Sequence, residues 1–448
     1  MRRLESLKRV CVLWLSLAGL LLETAVYAYI WFRNYYPIVN RFNLGLKFFF
    51  KGHLLIIAIY FVLLFFFTST YGGLKIGYLK PGDVFLSQLV SLCIVDVITY
   101  FQISLMSNRL VPVVYFAQAL VLQLLISGIW TAFCNRVYRR VFPPREMLLV
   151  HGHRSIEDIL RKFESRIWKI QEEIDSGFHA VVLWDISTED RNKLLKYCYS
   201  RSVRVYMMPK IPDVLIAGAD QLHLFDTPIF LTREYALTVE QRMAKRMIDL
   251  VLSLVLTILT SPIMLITAIC IKCYDGGPIL YKQTRCTCGG REFRIMKFRS
   301  MKVDAEKDGV ARLASRNDSR ITPIGKFIRM VRIDELPQLF NILIGDMSFI
   351  GPRPERPEII AQYVEQMPEF VFRMKVKAGL AGYAQVYGKY NTTPYDKLKL
   401  DLSYIENYSL WLDLKLMLLT LKILIKPEST EGVDSNQTTA MKNGEDRK

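Results

Sequence analysis

The sequence predicts an integral membrane protein of mixed α and α/β class. We expect a four-helix transmembrane region, a Rossmann-like α/β middle domain and a C-terminal α-rich domain with a re-entrant membrane helix. Three observations predict this architecture: four long apolar segments near the N-terminus, alternating short apolar runs and helical stretches in the middle, and a fifth apolar run broken by Ser261-Pro262. The predicted boundaries are residues 1–144, 145–240 and 241–426, followed by a polar, disordered tail at 427–448.

The composition favours a membrane protein with basic cytoplasmic surfaces. Hydrophobic residues make up 51% of the 448 residues, and the formal net charge is +17. Soluble globular proteins rarely combine these features, whereas anionic headgroups attract juxtamembrane Lys and Arg. Nucleic acid is the other usual partner of a basic chain. The apolar segments explain the composition better, so we expect no nucleic-acid binding.

Four segments have the length of transmembrane helices, namely residues 10–32, 52–70, 84–106 and 111–134. Each approaches the ~20 apolar residues that cross ~30 Å of hydrocarbon. Glu23 and Asp96 are acids within these segments, and an inward-facing structural role is at least as good an interpretation as a functional one. Basic residues before the first segment and after the fourth predict that both ends face the cytoplasm. Arg33 and Arg41, in the first loop, oppose that orientation.

The middle of the chain alternates between short apolar runs and mixed helical stretches. Strands are predicted at residues 147–150, 180–184, 203–207 and 223–225, with helices at 155–174 and 188–201. Such alternation is typical of a small parallel α/β domain. The turn after the first strand reads His151-Gly-His-Arg-Ser, and one glycine cannot replace the three of a dinucleotide fingerprint. We therefore predict no NAD binding, and we interpret His151 and His153 as loop residues.

A fifth apolar run, residues 250–271, has no charged side chain and is interrupted by Ser261-Pro262. Pro262 removes a backbone hydrogen bond and predicts a kink, while adjacent hydroxyls can satisfy the freed carbonyls. Basic residues flank both ends of the run. A helix that enters the membrane, bends at Ser261-Pro262 and returns keeps both basic clusters in the cytoplasm. The alternative is an ordinary kinked fifth crossing.

An adjacent acidic pair, Asp334-Glu335, lies in the most polar and basic part of the C-terminal region. Neighbouring residues on a helix point ~100° apart, so the two carboxylates are expected to have different roles. Pro337 is tolerated in the first turn of a helix, which predicts a helix N-terminus near Asp334 with Asp334 as its cap. The same location suits a phosphate.

A carboxylate kept ionised there could attack phosphorus and form an aspartyl-phosphate intermediate. Attack on a diphosphate needs its charge neutralised, usually by Mg²⁺ together with basic side chains. The available cations are Lys297, Arg299, Arg329, Arg332 and Arg353. Taken alone, an Asp-Glu pair at a helix start is usually only a cap, and Gly351-Pro-Arg-Pro is usually only a rigid turn.

Four motifs together resemble the bacterial sugar transferases, the monotopic polyprenyl-phosphate glycosyl-1-phosphate transferases. They are Lys297-Phe-Arg-Ser-Met, Asp334-Glu-Leu-Pro-Gln-Leu-Phe-Asn, Gly345-Asp-Met-Ser-Phe-Ile-Gly-Pro-Arg-Pro and Gly382-Tyr-Ala-Gln-Val. The resemblance covers roughly residues 242–426, and the preceding part is similar in architecture to the long form of the family. The chain departs from the family pattern at Ala378-Gly379, Tyr383 and Tyr387-Gly388, which affects the expected sugar preference.

The resemblance implies transfer of a sugar-1-phosphate from a UDP-sugar to undecaprenyl phosphate, with release of UMP, as the first membrane step of exopolysaccharide, capsule or O-antigen assembly. It implies that Asp334 is the nucleophile, that Glu335 assists it, and that the pair binds Mg²⁺. Phosphates and nucleotide would be held by further residues: Lys297, Arg299, Arg329, Arg332 and the Pro352-Arg353-Pro354 turn. Ser261-Pro262 matches the family's break in a re-entrant helix, in the inner membrane of a bacterium.

Other interpretations remain open at this point. A catalytically silent membrane scaffold or regulator would have the same fold, but it predicts erosion of the basic residues or the acidic pair. A transporter would need polar residues in several spans, and a nucleotide-sugar dehydratase would need a Gly-rich fingerprint. Residues 323–332 and 410–425 are expected to lie at the membrane interface, or else to pack their apolar faces into the core. Homodimerisation or regulation is the hypothesis for the middle domain.

Overall fold

The computed structural model describes residues 2–42, 50–142, 145–151, 168–171, 180–224, 227–232, 236–302, 320–388 and 392–424. It divides into two compact units, Met1–Met208 and Pro209–Lys448. The α/β region predicted at residues 145–240 is shared between these two units. The predicted tail at 427–448 lies outside the described residues.

Long helices make up the first part of the first unit. They are α1 (Arg2–Ile30), which continues through a π-helical turn (Trp31–Tyr35) into α2 (Tyr36–Phe42), then α3 (Phe50–Tyr71), α4 (Pro81–Met106) and α5 (Val114–Val141). Within the described ranges, five helical segments are long and apolar enough to cross a membrane: Val10–Val39, Lys51–Tyr71, Pro81–Met106, Val114–Val141 and Val239–Asp275. The four predicted N-terminal segments lie within the first four of these, apart from residues 111–113.

A parallel four-stranded sheet completes the first unit. Its strands are β1 (Arg145–His151), β2 (Trp168–Gln171), β3 (Ala180–Trp184) and β4 (Arg204–Met207), in the order β2-β1-β3-β4. Helix α6 (Thr188–Ser200) connects β3 to β4. It begins where the Ser187 hydroxyl accepts a hydrogen bond from the Asp190 N–H at 3.1 Å. The prediction of a parallel α/β pattern is confirmed for these strands.

Two predicted elements of this region need correction. The helix predicted at 155–174 is wrong at residues 168–171, which form edge strand β2; the rest of that range lies outside the described residues. Trp168 and Ile170 alternate with polar neighbours, and this two-residue period suits an edge strand. Residues 223–224 belong to β5 (Asp220–Leu224), which pairs antiparallel with β6 (Thr227–Leu231) and not with the parallel sheet. Phe225 is not among the described residues.

The second unit contains the long helix α8 (Val239–Asp275) after α7 (Ile211–Ala217) and the β5–β6 pair. Its further elements are β7 (Leu280–Cys286), β8 (Glu292–Phe298), α9 (Pro323–Met330), α10 (Gln338–Ile344), β9 (Met347–Ile350), α11 (Pro357–Gln366), β10 (Ala378–Ala381), α12 (Tyr383–Tyr387), α13 (Pro394–Glu406) and α14 (Leu410–Leu424). Strands β7 and β8 are antiparallel, whereas β9 and β10 are parallel. One apolar cluster, which includes Ile342, Met347, Leu398 and Leu416, joins most of these elements.

Three helices of this unit begin with a threonine cap. At the start of α8, α9 and α13, the hydroxyl of Thr238, Thr322 or Thr393, respectively, accepts a hydrogen bond from the backbone N–H three residues later. In α9 and α13 a proline follows the threonine, where its missing N–H costs nothing.

Helix α8 runs without a break through Ser261 and Pro262. Proline has no N–H, so the carbonyl of Ile258 loses its usual donor. The Ser261 hydroxyl donates to that carbonyl oxygen at 2.8 Å, and the Thr260 hydroxyl donates to the Leu256 oxygen at 2.8 Å. The predicted compensation by adjacent hydroxyls is therefore present. Of the most apolar stretch of this helix, only 11% is buried within the protein.

Candidate active site

Asp334 and Glu335 lie in a single 3₁₀ turn (Ile333–Glu335) between α9 and α10. The predicted helix start at Asp334 is wrong, because α10 begins at Gln338 with Pro337 as its N-cap residue. Pro337 cannot donate the hydrogen bond that would extend the helix backwards. Instead, the Leu336 N–H donates to the Ile333 oxygen at 3.1 Å and closes the tighter turn. Asp334 thus does not cap a helix.

The residue before this turn has a left-handed backbone. Arg332 has a φ of 61°, a conformation that costs an L-residue roughly 1 kcal/mol or more. This reversal directs the chain out of α9 and places the two acids beside the basic side chains of α9 and β8. The local strain therefore lies next to the acidic pair.

Asp334 is buried and incompletely satisfied. The residue is 8% exposed, and its Oδ1 has no hydrogen-bond partner within the described structure. Burial, together with the neighbouring Glu335 charge, raises the pKa of the Asp334 carboxyl despite opposing charges on Lys297 and Arg329. An acceptor in this state has a lone pair available for a ligand that the protein itself does not supply.

Glu335 has the opposite environment. Its Oε1 accepts hydrogen bonds from Lys297 Nζ at 3.0 Å and from Arg353 Nη2 at 3.2 Å, and Arg332 Nη1 lies 3.8 Å from its Oε2. Burial alone would raise the pKa of Glu335, but these cations outweigh it and hold the pKa well below its usual range. In return, the Glu335 charge raises the pKa of Arg353. Glu335 therefore stays ionised and fixes two cations.

Arg329, on α9, carries a second unsatisfied group. Its Nη1 is buried without a hydrogen-bond partner in the described part of the chain. Its charge acts on the Asp334 carboxyl. The site therefore contains a guanidinium N–H and a carboxylate oxygen that both lack partners. Such a pair is suited to an incoming phosphate and its counter-cation.

Arg299 does not join the acidic pair. Its guanidinium forms a two-pronged ion pair with Asp275, in which Nη1 donates to Oδ2 at 2.8 Å. Asp275 is the last residue of α8, and Arg299 directly follows β8. Arg299 therefore connects the end of α8 to the end of β8 in this structure, and its predicted binding of substrate phosphate stays a prediction.

The turn Pro352-Arg353-Pro354 is held through its carbonyl oxygens. Pro352 O accepts from the Gly379 N–H at 2.9 Å, Arg353 O from Arg373 Nη2 at 3.0 Å, and Pro354 O from Arg285 Nη1 at 3.3 Å. No role was predicted for Arg373 or Arg285 from the sequence. Arg373 lies 20 positions from Arg353, and Arg285 lies 69 positions from Pro354, so these contacts form only when the chain folds.

Behind the turn, Arg373 is itself buried in a charge network. It is 5% exposed, lies 2.8 Å from Asp401 and 3.8 Å from Glu355, and stacks against the Phe370 ring. Asp401 is 1% exposed, so each charge depends on the other for neutralisation. The network supports the backbone that presents Arg353.

Three glycines let two segments cross at the base of this turn. A Cβ on Gly351 would lie 2.3 Å from the Lys377 oxygen, one on Gly379 would lie 2.1 Å from the Gly351 nitrogen, and one on Gly382 would lie 2.1 Å from the Gly351 oxygen. No side chain fits at these backbone contacts. The motif glycines thus set the position of Arg353 relative to β10.

The carboxylates fit one common mode of Mg²⁺ binding. Within the described residues, no group of three or more His, Cys, Asp or Glu is placed to hold a metal ion. Mg²⁺ is often bound by one or two carboxylates together with substrate phosphates. Asp334, with its free Oδ1, and Glu335 beside it would fit that mode.

The apolar faces predicted at the membrane interface are divided between core and surface. On α9, Ile328 is buried beside Ile271 and Phe298, whereas Phe327 is 56% exposed. On α14, Leu416 is buried and Trp411 is exposed. The structure therefore contains parts of both alternatives, core packing and an exposed apolar strip.

A family model described as bacterial sugar transferase matches residues 240–427. A UDP-N-acetylgalactosamine-undecaprenyl-phosphate N-acetylgalactosaminephosphotransferase of Aeromonas hydrophila is 36% identical over 276 residues, which cover 58% of this chain and 62% of that protein. A UDP-glucose:undecaprenyl-phosphate glucose-1-phosphate transferase of Escherichia coli K12 is 38% identical. The aligned part covers 45% of this chain and 43% of that protein.

A third relative is aligned over more of its own length. This UDP-glucose:undecaprenyl-phosphate glucose-1-phosphate transferase of Caulobacter vibrioides is 40% identical over 190 residues, which cover 41% of this chain and 71% of that protein. The chain thus spans less than two thirds of the first two relatives and more than two thirds of the third. The range matched by the family model, residues 240–427, contains the acidic pair and the Pro352-Arg353-Pro354 turn.

Proposed function

Because the chain belongs to the bacterial sugar transferase family, we propose that it transfers a sugar-1-phosphate from a UDP-sugar to undecaprenyl phosphate. The names of three relatives state this type of reaction, with N-acetylgalactosamine or glucose as the sugar. The observation that carries the proposal for this chain is the contrast within the acidic pair. Glu335 is bound by cations, whereas Asp334 keeps an oxygen free at the same site.

In the proposed first step, an Asp334 carboxylate oxygen attacks the phosphorus that carries the sugar. The bond between this phosphorus and the bridging oxygen breaks, UMP leaves, and an aspartyl phospho-sugar forms. In the second step, a phosphate oxygen of undecaprenyl phosphate attacks the same phosphorus and releases Asp334. The product is a lipid diphosphate sugar, and the enzyme returns to its starting state.

The basic residues would neutralise the charge that these steps concentrate at phosphorus. Lys297 and Arg353, which both contact Glu335, would bind the diphosphate, and Arg329 would donate its unpartnered N–H. Mg²⁺, when bound by the acidic pair, would offset the negative charge of the donor and lower the pKa of Asp334. Arg332 lies close enough to act on both acids.

We further propose that α8 is re-entrant, so that the active site lies at the cytoplasmic face of the inner membrane. Asp249, near the start of α8, accepts from the Phe349 N–H at 3.0 Å on β9, while Asp275 at its end binds Arg299 beside β8. A straight helix between the two acids would be about 39 Å long. Strands β8 and β9 both pack on the short helix α10. These contacts support a bend near Pro262.

The test is release of UMP by the detergent-solubilised protein with Mg²⁺, undecaprenyl phosphate and a panel of UDP-sugars. Asp334→Asn is expected to abolish release, and Glu358→Gln, an exposed acid on α11, to leave it unchanged. Intact-mass measurement without the lipid acceptor should detect a phospho-sugar adduct on the wild type and none on Asp334→Asn. Equal release from wild type and Asp334→Asn would remove Asp334 from its role. No release with any donor would favour the catalytically silent scaffold.

A further inference from the structure

Oxygen-rich side chains from four helices meet inside the first unit. Glu23 and Tyr27 come from α1, Tyr60 from α3, Asp96 from α4 and Gln123 from α5. All five residues are at most 6% exposed. The proposed sugar-phosphate transfer uses none of them, and they lie in the apolar segments that are long enough to cross a membrane.

Hydrogen bonds join these side chains and use most of their donors. The Tyr60 hydroxyl donates to Asp96 Oδ1 at 2.8 Å. Gln123 Nε2 donates to the Tyr60 hydroxyl at 2.8 Å and to the Glu23 backbone oxygen at 2.9 Å. Both N–H groups of the Gln123 amide and the O–H group of Tyr60 are thereby engaged.

Several oxygens of the same cluster have no partner in the described structure. They are Glu23 Oε2, Asp96 Oδ2, Gln123 Oε1 and the Tyr27 hydroxyl. The amide oxygen matters most here, because Gln123 is fully buried and is oriented by two hydrogen bonds of its own nitrogen. Tyr27 is fixed by stacking on Tyr60, with ring centroids 3.9 Å apart. Oxygens from three helices therefore lack the donors that buried acceptors normally have.

The cluster also lacks a positive charge. Glu23 and Asp96 are close enough to repel each other, and neither forms an ion pair with a basic side chain in the described residues. Two ionised carboxylates without a cation are costly in a protein interior and more costly within lipid. One divalent cation, or one monovalent cation together with a proton on one of the two acids, would neutralise the charge and supply a partner for the free oxygens.

We propose that Glu23, Asp96 and Gln123, with the Tyr27 hydroxyl, form a binding site for a small hard cation inside the helical bundle. Carboxylate, amide and hydroxyl oxygens are the ligands that alkali and alkaline-earth ions prefer, and no sulfur or imidazole is among them. The bound ion would join α1, α4 and α5. This site is separate from the acidic pair at Asp334-Glu335 and does not depend on its chemistry.

The experiment measures equilibrium binding of ²²Na⁺ and ⁴⁵Ca²⁺ to the full-length protein in detergent, with K⁺ and Mg²⁺ as unlabelled competitors. The protein carries Asp334→Asn and Glu335→Gln, so that divalent binding at the proposed active site does not contribute. We expect saturable binding of one of these cations. Glu23→Gln and Asp96→Asn should each abolish it, and Tyr27→Phe, which keeps the ring stack, should weaken it severalfold.

Glu189→Gln, at an exposed ion pair on α6, is the matched control and should bind like the parent. Gel filtration of each variant checks that loss of binding is not loss of fold. Saturable binding that survives in both Glu23→Gln and Asp96→Asn would overturn the proposal. Absence of saturable binding to the parent protein, for Na⁺ and Ca²⁺ alike, would also overturn it, since the acids would then be neutralised by protons.

Discussion

Asp334 and Glu335 are neighbours in sequence, yet the two carboxyls are held in different states by their surroundings. Glu335 has cations on both oxygens, whereas Asp334 retains an oxygen without a donor. Their pKa values are shifted in opposite directions as a result. This separation gives one carboxylate a structural charge and leaves the other available for chemistry.

The two acids should therefore affect stability with opposite signs. The raised pKa of Asp334 means that its ionised form disfavours folding, so Asp334→Asn should raise the Tm at pH 7.5. The gain should shrink as the pH falls through the pKa of Asp334, because the wild-type carboxyl then becomes neutral. Thermal unfolding from pH 4 to 8 measures this, with Glu358→Gln as a control. A Tm below that of the wild type at pH 7.5 would contradict the argument.

Glu335→Gln should act in the other direction. The lowered pKa of Glu335 contributes stability that is fully present above its unfolded pKa of about 4.3 and is lost as the pH falls through the folded value. The variant should lose on the order of 1–3 kcal/mol at pH 7.5. UMP release should fall roughly 100-fold or more, since Lys297 and Arg353 lose their shared partner. A Glu335→Gln variant that is as stable as the wild type from pH 5 to 8 would show that these contacts are not formed.

At the scale of elements, the turn that carries Arg353 depends on a residue outside its motif. Arg373→Lys keeps the charge beside Asp401 but loses the planar guanidinium, whose Nη2 contacts both Asp401 and the Arg353 oxygen while its Nη1 faces Glu355. We expect KM for the UDP-sugar to rise about tenfold with a smaller change in kcat, because donor positioning is lost and not the nucleophile. Lys375→Met, an exposed neighbour, is the control. A pure loss of kcat would assign Arg373 a different role.

The path of α8 gives a second prediction for an element. Met243 and Cys273 are exposed near the two ends of the helix. In a variant with Met243→Cys and the other cysteines replaced, both thiols should react with an impermeant maleimide in inside-out vesicles, and neither in right-side-out vesicles. Labelling of the two thiols from opposite sides would establish a fifth crossing. Pro262→Ala, which restores the missing backbone N–H, is the informative comparison.

At the scale of the whole molecule, the second unit has its own core, and α7 belongs to it. Ile211 and Val214 on α7 lie in the same apolar cluster as Leu398 and Leu402. A fragment of residues 209–448 should therefore retain UMP release in detergent. A fragment of residues 237–448 should be less stable by roughly 2–4 kcal/mol, because the cluster loses two buried side chains. Equal thermal stability of the two fragments would place α7 outside the core.

Features set by local sequence could be predicted, and features set by distant partners could not. The apolar segments and strand Ala180–Trp184 were visible because length and hydrophobicity are local properties. Strand Trp168–Gln171 was missed because its edge position depends on pairing with β1. Among the site residues, the motifs located the acids, whereas the pairing of Arg299 with Asp275 and of Arg373 with Asp401 depends on folding.

The crossing of Gly351, Gly379 and Gly382 has a thermodynamic consequence for donor binding. Because the two segments leave no room for a side chain between them, we expect little independent motion of the turn and β10, and the backbone of Arg353 would be positioned when the protein folds. Little conformational entropy would then remain to be lost on binding the nucleotide, which favours affinity without additional contacts. Discrimination between sugars would consequently depend on side chains around this rigid frame, and less on any rearrangement of the frame itself.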